Sequence, residues 1–230
     1  MNNQKMRLLS LVLAAAIALG GVTAFADGEP AAPETTETTE IASRETAGSW
    51  NGDTYTDNQG IVYELNGDGT ITLTDGRSAT GAITIPDAIE KGGESYLVTS
   101  IGDTAFVFCG ALESVTFSGK VDSIGRYAFH DCDALNTVTF SGDVGSIGLG
   151  AFENCNALES VTFSGDVGSI GLGAFENCTA LKSVTFSGDV GSIGDIAFQY
   201  CTALTTIYVP VSTTEDTIDM IRKALEISGR

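Results

Sequence analysis

The side chains best able to do chemistry in this sequence recur on a fixed beat. Cys109, Cys132, Cys155, Cys178 and Cys201 are its five cysteines, each 23 residues from the last. A metal site would need paired Cys-x-x-Cys or Cys/His clusters, and none occurs. Disulfides are the first thought for an exported chain. Five is an odd number, however, and equivalent side chains in a stack point the same way instead of at each other. Buried free thiols filling a small apolar slot are therefore expected. Asp143, Asp166 and Asp189 also share one position, taken by Lys120 in the first copy. Carboxylates stacked about 5 Å apart repel by only about 1 kcal/mol in water. A solvated column is expected, with a calcium column as the alternative.

Other candidates dissolve into the same repeat. His130 is the single histidine. Its equivalents are Val107, Glu153, Glu176 and Gln199, so it reads as a surface substitution. The stretch from Glu64 through Asn66 and Asp68 has the opening of a calcium loop. Its twelfth position is Asp75 instead of Glu, and strand-like flanks make a hairpin turn the better reading. Gly145, Gly148 and Gly150 suggest a phosphate loop but lack the lysine and the spacing. No nucleophile–histidine–carboxylate set or carboxylate pair stands apart from the repeats. No catalytic, cofactor-binding or metal-ligating residue is assigned, and no enzyme activity is expected.

The elements that carry these positions repeat as a phrase. IGDTAFVFCGALESVTFSGKVDS begins at Ile101, and variants of it begin at Ile124, Ile147 and Ile170. A fifth, IGDIAFQYCTALTTIYVP, begins at Ile193 and then departs. A period of this length marks a stacked-repeat solenoid, in which no unit can bury its apolar face alone. Leu112, Val115 and Phe117 should point inward from a strand, in a parallel ladder running from repeat to repeat. Residues 103–109 are too short for a stable helix and should form one helical or 3₁₀ turn. Proline is missing from 87 to 209, as a ladder of donating strands requires.

The flanks read differently. Residues 1–26 have a charged start at Lys5 and Arg7, an apolar run from Leu8 to Leu19, and Ala24-Phe25-Ala26 as a cleavage pattern. That is a secretory signal, with a retained anchor as the alternative. Residues 27–47 are acidic and rich in Thr and Pro, and should be a disordered linker. Residues 48–100 read as a β-rich N-terminal cap. Within it, Ala82–Pro86 aligns with Ser114–Ser118 as a degenerate half-repeat, and Trp50 should pack. Five repeats fill 101–210. Residues 211–230 should form a capping helix, with Thr213 or Thr214 at its start and a stripe of Ile218, Ile221 and Leu225. Acidic residues outnumber basic ones by 30 to 11, for a net charge of −19. That balance disfavours nucleic acid and anionic membranes as partners, and no membrane span is expected after signal cleavage.

The phrase IG-x-x-AF-x-x-C-x-x-L-x-x-V-x-F at this spacing resembles the BspA-type leucine-rich repeat of bacterial secreted and surface proteins. The resemblance covers Ile101 to Pro210 and extends to the cap segment. It implies an α/β-type, β-dominated leucine-rich-repeat solenoid that acts outside the cell by binding or adhesion. The implied partner is an extracellular protein, from host matrix or another bacterial surface. Family function lies in variable outward residues, so no site transfers by position.

The outward strand positions are the remaining candidates for binding. They comprise Glu113 and Thr116, Asn136 and Thr139, Glu159 and Thr162, Lys182 and Thr185, and Tyr208. In a curved array they would pave a concave polar face. Threonine is also simply a good strand residue, which leaves a passive spacer in the cell envelope as the alternative role.

Overall fold

The computed structural model describes residues 48–225 and the strand β1 (Met6–Ser10). The signal expected over 1–26 otherwise lies outside the described residues, as do the linker over 27–47 and the last five residues. Strand β1 runs antiparallel along the edge of the last repeat strand, with Met6 opposite Pro210.

Alternation dictates the repeat strands. In β9 (Leu112–Phe117), Leu112, Val115 and Phe117 are buried, while Ser114 and Thr116 are half-buried on the outer side. The same pattern forms β11 (Thr137–Phe140), β13 (Ser160–Phe163), β15 (Ser183–Phe186) and β17 (Thr206–Pro210). A second strand follows in each of the first four repeats: β10 (Val121–Ile124), β12 (Val144–Ile147), β14 (Val167–Ile170) and β16 (Val190–Ile193). Sequence pattern suggests only the first set. The second is short, and in three copies its outward position is a glycine, which hides strand character. Each coil thus contributes to two parallel sheets, and the fold is a β-solenoid.

The third side corrects an expectation. Residues 103–109 form neither an α- nor a 3₁₀-helix. Thr104 and Phe108 take left-handed φ values of 56° and 60°. The chain therefore reverses its peptide planes instead of winding. Alternate N–H groups close short turns, as from Val107 to the Thr104 carbonyl. The others donate to the next coil: Thr104 to Arg126, Phe106 to Ala128 and Phe108 to His130, at 2.7–2.9 Å. A helix would have consumed those donors internally. The turn side is hydrogen-bonded from coil to coil much as the sheets are.

Stacking in register aligns every side chain with its equivalents. Thr116, Thr139, Thr162 and Thr185 are direct partners across the first sheet. Two phenylalanine columns fill the interior. On the turn side Phe106, Phe129, Phe152, Phe175 and Phe198 advance in centroid steps of 4.6, 4.9, 5.1 and 5.4 Å. On the strand side Phe117, Phe140, Phe163 and Phe186 advance by 4.6, 4.9 and 5.1 Å. Equal steps on both sides leave no wedge between them. The strand face is level along this line, not concave, because the turn side has no helices to spread the coils.

Both ends are closed by residues outside the regular phrase. At the front, β2 (Ser49–Asn51), β3 (Thr54–Thr56), β4 (Val62–Leu65) and β5 (Ile71–Asp75) form an antiparallel meander whose last strand joins the second sheet. Strand β6 (Gly81–Ile85) pairs in parallel with β9, Thr84 beside Thr116. A hairpin of β7 (Ala88–Lys91) and β8 (Glu94–Ile101) holds the residues inserted before the first full phrase. Trp50 ties meander to hairpin: its ring lies 5.3 Å from that of Tyr55, and its Nε1 donates to the Glu90 carbonyl at 2.8 Å. At the back, helix α1 (Glu215–Leu225) begins at Thr214, whose Oγ1 accepts the Thr217 N–H. Ile218 and Ile221 are buried as the stripe required, but Ala224 replaces Leu225 as the third fully buried contact. The Ala224 carbonyl accepts the Phe198 N–H at 3.3 Å. It stands where a further coil would have offered Ala197's equivalent.

Gly168 illustrates how close the coils lie. A Cβ there would sit 2.3 Å from the Gly145 carbonyl oxygen. Gly168→Ala is expected to cost about 1–3 kcal/mol through forced coil separation. Phe152→Ala should cost about 3–5 kcal/mol. Urea unfolding followed by circular dichroism measures both, and a neutral Gly168→Ala would contradict the close approach.

Candidate functional site

The strand face gathers all nine residues singled out from the sequence, although it is level. Glu113, Asn136, Glu159 and Lys182 form one exposed column at the strand entries. Thr116, Thr139, Thr162, Thr185 and Tyr208 form a half-buried second column in direct register, within β9 to β17. Lys182 Nζ lies 2.8 Å from Glu159 Oε1, so part of the mixed charge is matched within the column. That exposed pair contributes at most about 1 kcal/mol. Sequence reasoning left out Thr84, which is exposed and extends the threonine column onto β6. Its signal was present, because Ala82–Pro86 aligns with Ser114–Ser118.

The cysteines do more than fill a slot. All five are buried and free. Each thiol donates to the carbonyl of a phenylalanine one coil back: Cys132 to Phe106, Cys155 to Phe129, Cys178 to Phe152 and Cys201 to Phe175, each at 3.1 Å. Cys109, which has no coil of that kind before it, donates to Ala79 at 3.1 Å. The Phe106 carbonyl also accepts the Cys109 N–H at 3.0 Å, so two donors converge on one buried oxygen. Burial pushes the Cys109 thiol up to about 11. The hydrogen-bonded thiol of Cys155 and then burial raise Cys132, while burial leads for Cys155 and Cys178. A thiol held protonated this way is no nucleophile and no ready metal ligand.

The aspartate column is likewise engaged in stacking. Asp143 Oδ1 accepts the Asp166 N–H at 2.9 Å, and Asp166 Oδ1 accepts the Asp189 N–H at 2.8 Å. These two carboxylates each cap the backbone of the following coil. Among the described residues, no group of three or more His, Cys, Asp or Glu side chains is placed to hold a metal. The Glu64–Asp75 stretch is the β4–β5 hairpin. The Asp68 carboxylate accepts both the hydroxyl and the N–H of Thr70 at 2.7 and 3.0 Å, which holds it below the usual carboxylate range. Gly145 and Gly148 are glycines because a Cβ would meet the preceding coil's backbone at 2.4 and 2.8 Å.

His130 sits on the turn side and is less isolated than its sequence position suggests. Its Nδ1 is 3.0 Å from Asp131 Oδ2, and its Nε2 is 4.0 Å from Glu153 Oε1. Phe108 and Tyr127 meet its ring edge-on at 6.0 and 5.5 Å. Asn177 Nδ2 donates to Asn154 Oδ1 at 2.8 Å, continuing a polar ladder from His130.

Comparison with known proteins follows this geometry. The sequence model of the BspA-type leucine-rich repeat region matches six copies over residues 99–219. Three solved structures are similar. A leucine-rich repeat protein from Bacteroides ovatus is 28% identical over 66% of this chain and 40% of its own, with a TM-score of 0.52. A leucine-rich cell surface protein from Faecalibacterium prausnitzii is 26% identical over 67% of this chain and 54% of its own, with a TM-score of 0.41. A leucine-rich repeat protein from Bacteroides capillosus is 30% identical over 70% of this chain and 96% of its own, with a TM-score of 0.42. The chain thus spans 40% and 54% of the length of the first two. No curated protein matches the sequence.

Two outcomes check the thiols and the aspartates. All five cysteines should resist an aromatic disulfide reagent until the chain unfolds, and Cys155→Ala should cost about 1–3 kcal/mol by stripping the buried Phe129 carbonyl of a donor. Calcium titration by calorimetry should give no binding heat and no melting shift, since Asp143 and Asp166 already cap backbone N–H groups.

Proposed function

Because this chain belongs to the BspA-type leucine-rich repeat family, we propose that it is a non-catalytic protein-binding module working outside the cytoplasm. The observation that carries this reading is the face of the first sheet. Its apolar side chains all turn inward, and its polar ones stand outward in register as an unbroken pavement on a level surface. A rigid ladder of this kind holds its contact groups in place without further ordering on binding. The face is poor in aromatic anchors, with Tyr208 at one edge, so affinity would come from many small polar contacts and not from a hot spot. The proposed contact residues are Glu113, Thr116, Asn136, Thr139, Glu159, Thr162, Lys182, Thr185 and Tyr208.

Location outside the cytoplasm rests on residues 1–26. Their charged start, apolar core and small-residue cleavage pattern are those of a secretory signal. The partner class follows from that location: an extracellular protein of host matrix or of another bacterial surface. The net charge of −19 favours solubility and repels nucleic acid, without selecting a partner.

A passive envelope spacer is the second reading, favoured by the near-identity of the third and fourth copies and by the Lys182–Glu159 match. The two separate by experiment. The triple variant Thr139/Thr162/Thr185→Glu melts lower because it stacks three like charges, stays folded by circular dichroism at the assay temperature, and loses at least tenfold in retention on immobilised matrix or bacterial surface proteins. Retention that survives the triple variant removes the strand face as the binding surface. Full function after deletion of one 23-residue unit, residues 147–169, supports the spacer.

A further inference from the structure

The turn side of the solenoid carries a second surface, built at a cost to the fold. Two positions in every coil adopt the left-handed backbone. The second of them is held by Phe108, Asp131, Asn154, Asn177 and Tyr200, with φ between 57° and 62°. Asn and Asp tolerate this conformation, whereas bulky side chains are strained in it. The middle three coils use the tolerant residues. The end coils place aromatic rings there and leave them in solvent, with Phe108 69% and Tyr200 49% exposed. The Phe108 ring meets His130 edge-on at 6.0 Å and otherwise stands in solvent.

Between the two rings runs the ladder of His130, Asn154 and Asn177, flanked by carboxylates, of which Asp131 pairs with His130 at 3.0 Å. Asp131, Glu153 and Glu176 lie along it. Glu153 Oε1 lies 4.0 Å from His130 Nε2, and no ion pair joins Glu153 or Glu176 to a lysine or arginine among the described residues. Burial, and then the charge of Glu153, raise the Glu176 carboxyl above its ordinary value. A cation placed against Glu176 would offset the charge of Glu153 beside it. Exposed aromatic faces attract the same kind of group.

We propose that this track, from Phe108 through Asp131, Glu153 and Glu176 to Tyr200, docks an extended basic segment of a partner protein. Four coil steps of about 4.8 Å separate the two rings by roughly 19 Å, which about six extended residues span. Arginine or lysine side chains would lie over the rings at the ends and against the carboxylates between them. The track lies on a different side from the strand face and does not depend on it.

The test compares the full chain with the double variant Phe108→Asn/Tyr200→Asn and with Glu153→Gln/Glu176→Gln. The probe is a hexa-arginine peptide, titrated by calorimetry at about 0.15 M salt and mapped by backbone amide shifts. Hexa-glutamate and a leucine–serine hexapeptide are the comparison probes. The aromatic variant should melt about 2–8 °C higher, because two strained residues are replaced by tolerant ones. It should also bind hexa-arginine at least fivefold more weakly, as should the glutamine variant. Shifts should centre on amides 107–109, 130–131, 153–154, 176–177 and 199–200. Unchanged affinity in the aromatic variant overturns the proposal, as does a lower melting point or a shift pattern spread evenly over the acidic surface. Equal binding of the leucine–serine peptide overturns the basic character of the partner. The Thr139/Thr162/Thr185→Glu substitutions leave these amide shifts in place, so the two surfaces can fail separately.

Discussion

One constraint governs this molecule: neighbouring coils are hydrogen-bonded on every side. Two sheets and a bonded turn face all advance by the spacing that backbone pairing allows, about 4.8 Å. Everything stacked inside must accept that spacing. The phenylalanine rings do so by lying parallel, within 9° of each other along both columns. The glycines at 145, 168 and 191 do so by having no Cβ, since one would lie 2.3–2.4 Å from the carbonyl oxygen behind it. The cysteines do so by handing a thiol proton one coil back.

The same constraint explains the shape of the working surfaces. A helix on the turn side would be wider than a strand and would bend the array toward the sheet. Here the turn is flattened by two left-handed residues per coil, so its free N–H groups reach sideways. The outcome is a level strand face of small polar side chains and a narrow turn face on which variation is tolerated. Within the strands the outward positions hold to Ser or Thr save Tyr208, while the column at their entries runs Glu113, Asn136, Glu159, Lys182 and Thr205. The turn positions range over Thr104, Tyr127, Gly150, Gly173 and Ile196 at one column, and over Phe108, Asp131, Asn154, Asn177 and Tyr200 at the next. Identity is most strictly retained where coils must fit each other, as at the buried Phe, Cys and Gly columns.

Stacking also fixes what the ends must be. An internal coil satisfies its neighbour, but a terminal one leaves a full row of donors and acceptors. The meander and the Trp50-anchored hairpin meet that row at the front. At the back, Ala224 in α1 supplies the carbonyl that Phe198 would otherwise lack.

Much of this was written in the sequence, because a perfect period transmits local pattern without ambiguity. The alternation of Val115 and Phe117 with Ser114 and Thr116 determined the first sheet, its register and its outward residues. The alignment of Ala82–Pro86 with Ser114–Ser118 carried Thr84 as well, and the stripe of Ile218 and Ile221 announced the closing helix. Other features required the assembled coils. A second strand was concealed by Gly145, Gly168 and Gly191, whose reason for being glycine is a backbone one coil away. The turn reads as helical in the sequence because nothing local reveals that Thr104 and Phe108 are left-handed; that conformation is enforced by donors reaching His130 and its neighbours. Level stacking, the thiol–carbonyl ladder and the aromatic-ended track on the turn side are contacts between residues 23 or more apart. Spacing alone determined that the coils repeat; only their hydrogen-bonded contact decided how flat they lie and which side chains remain free.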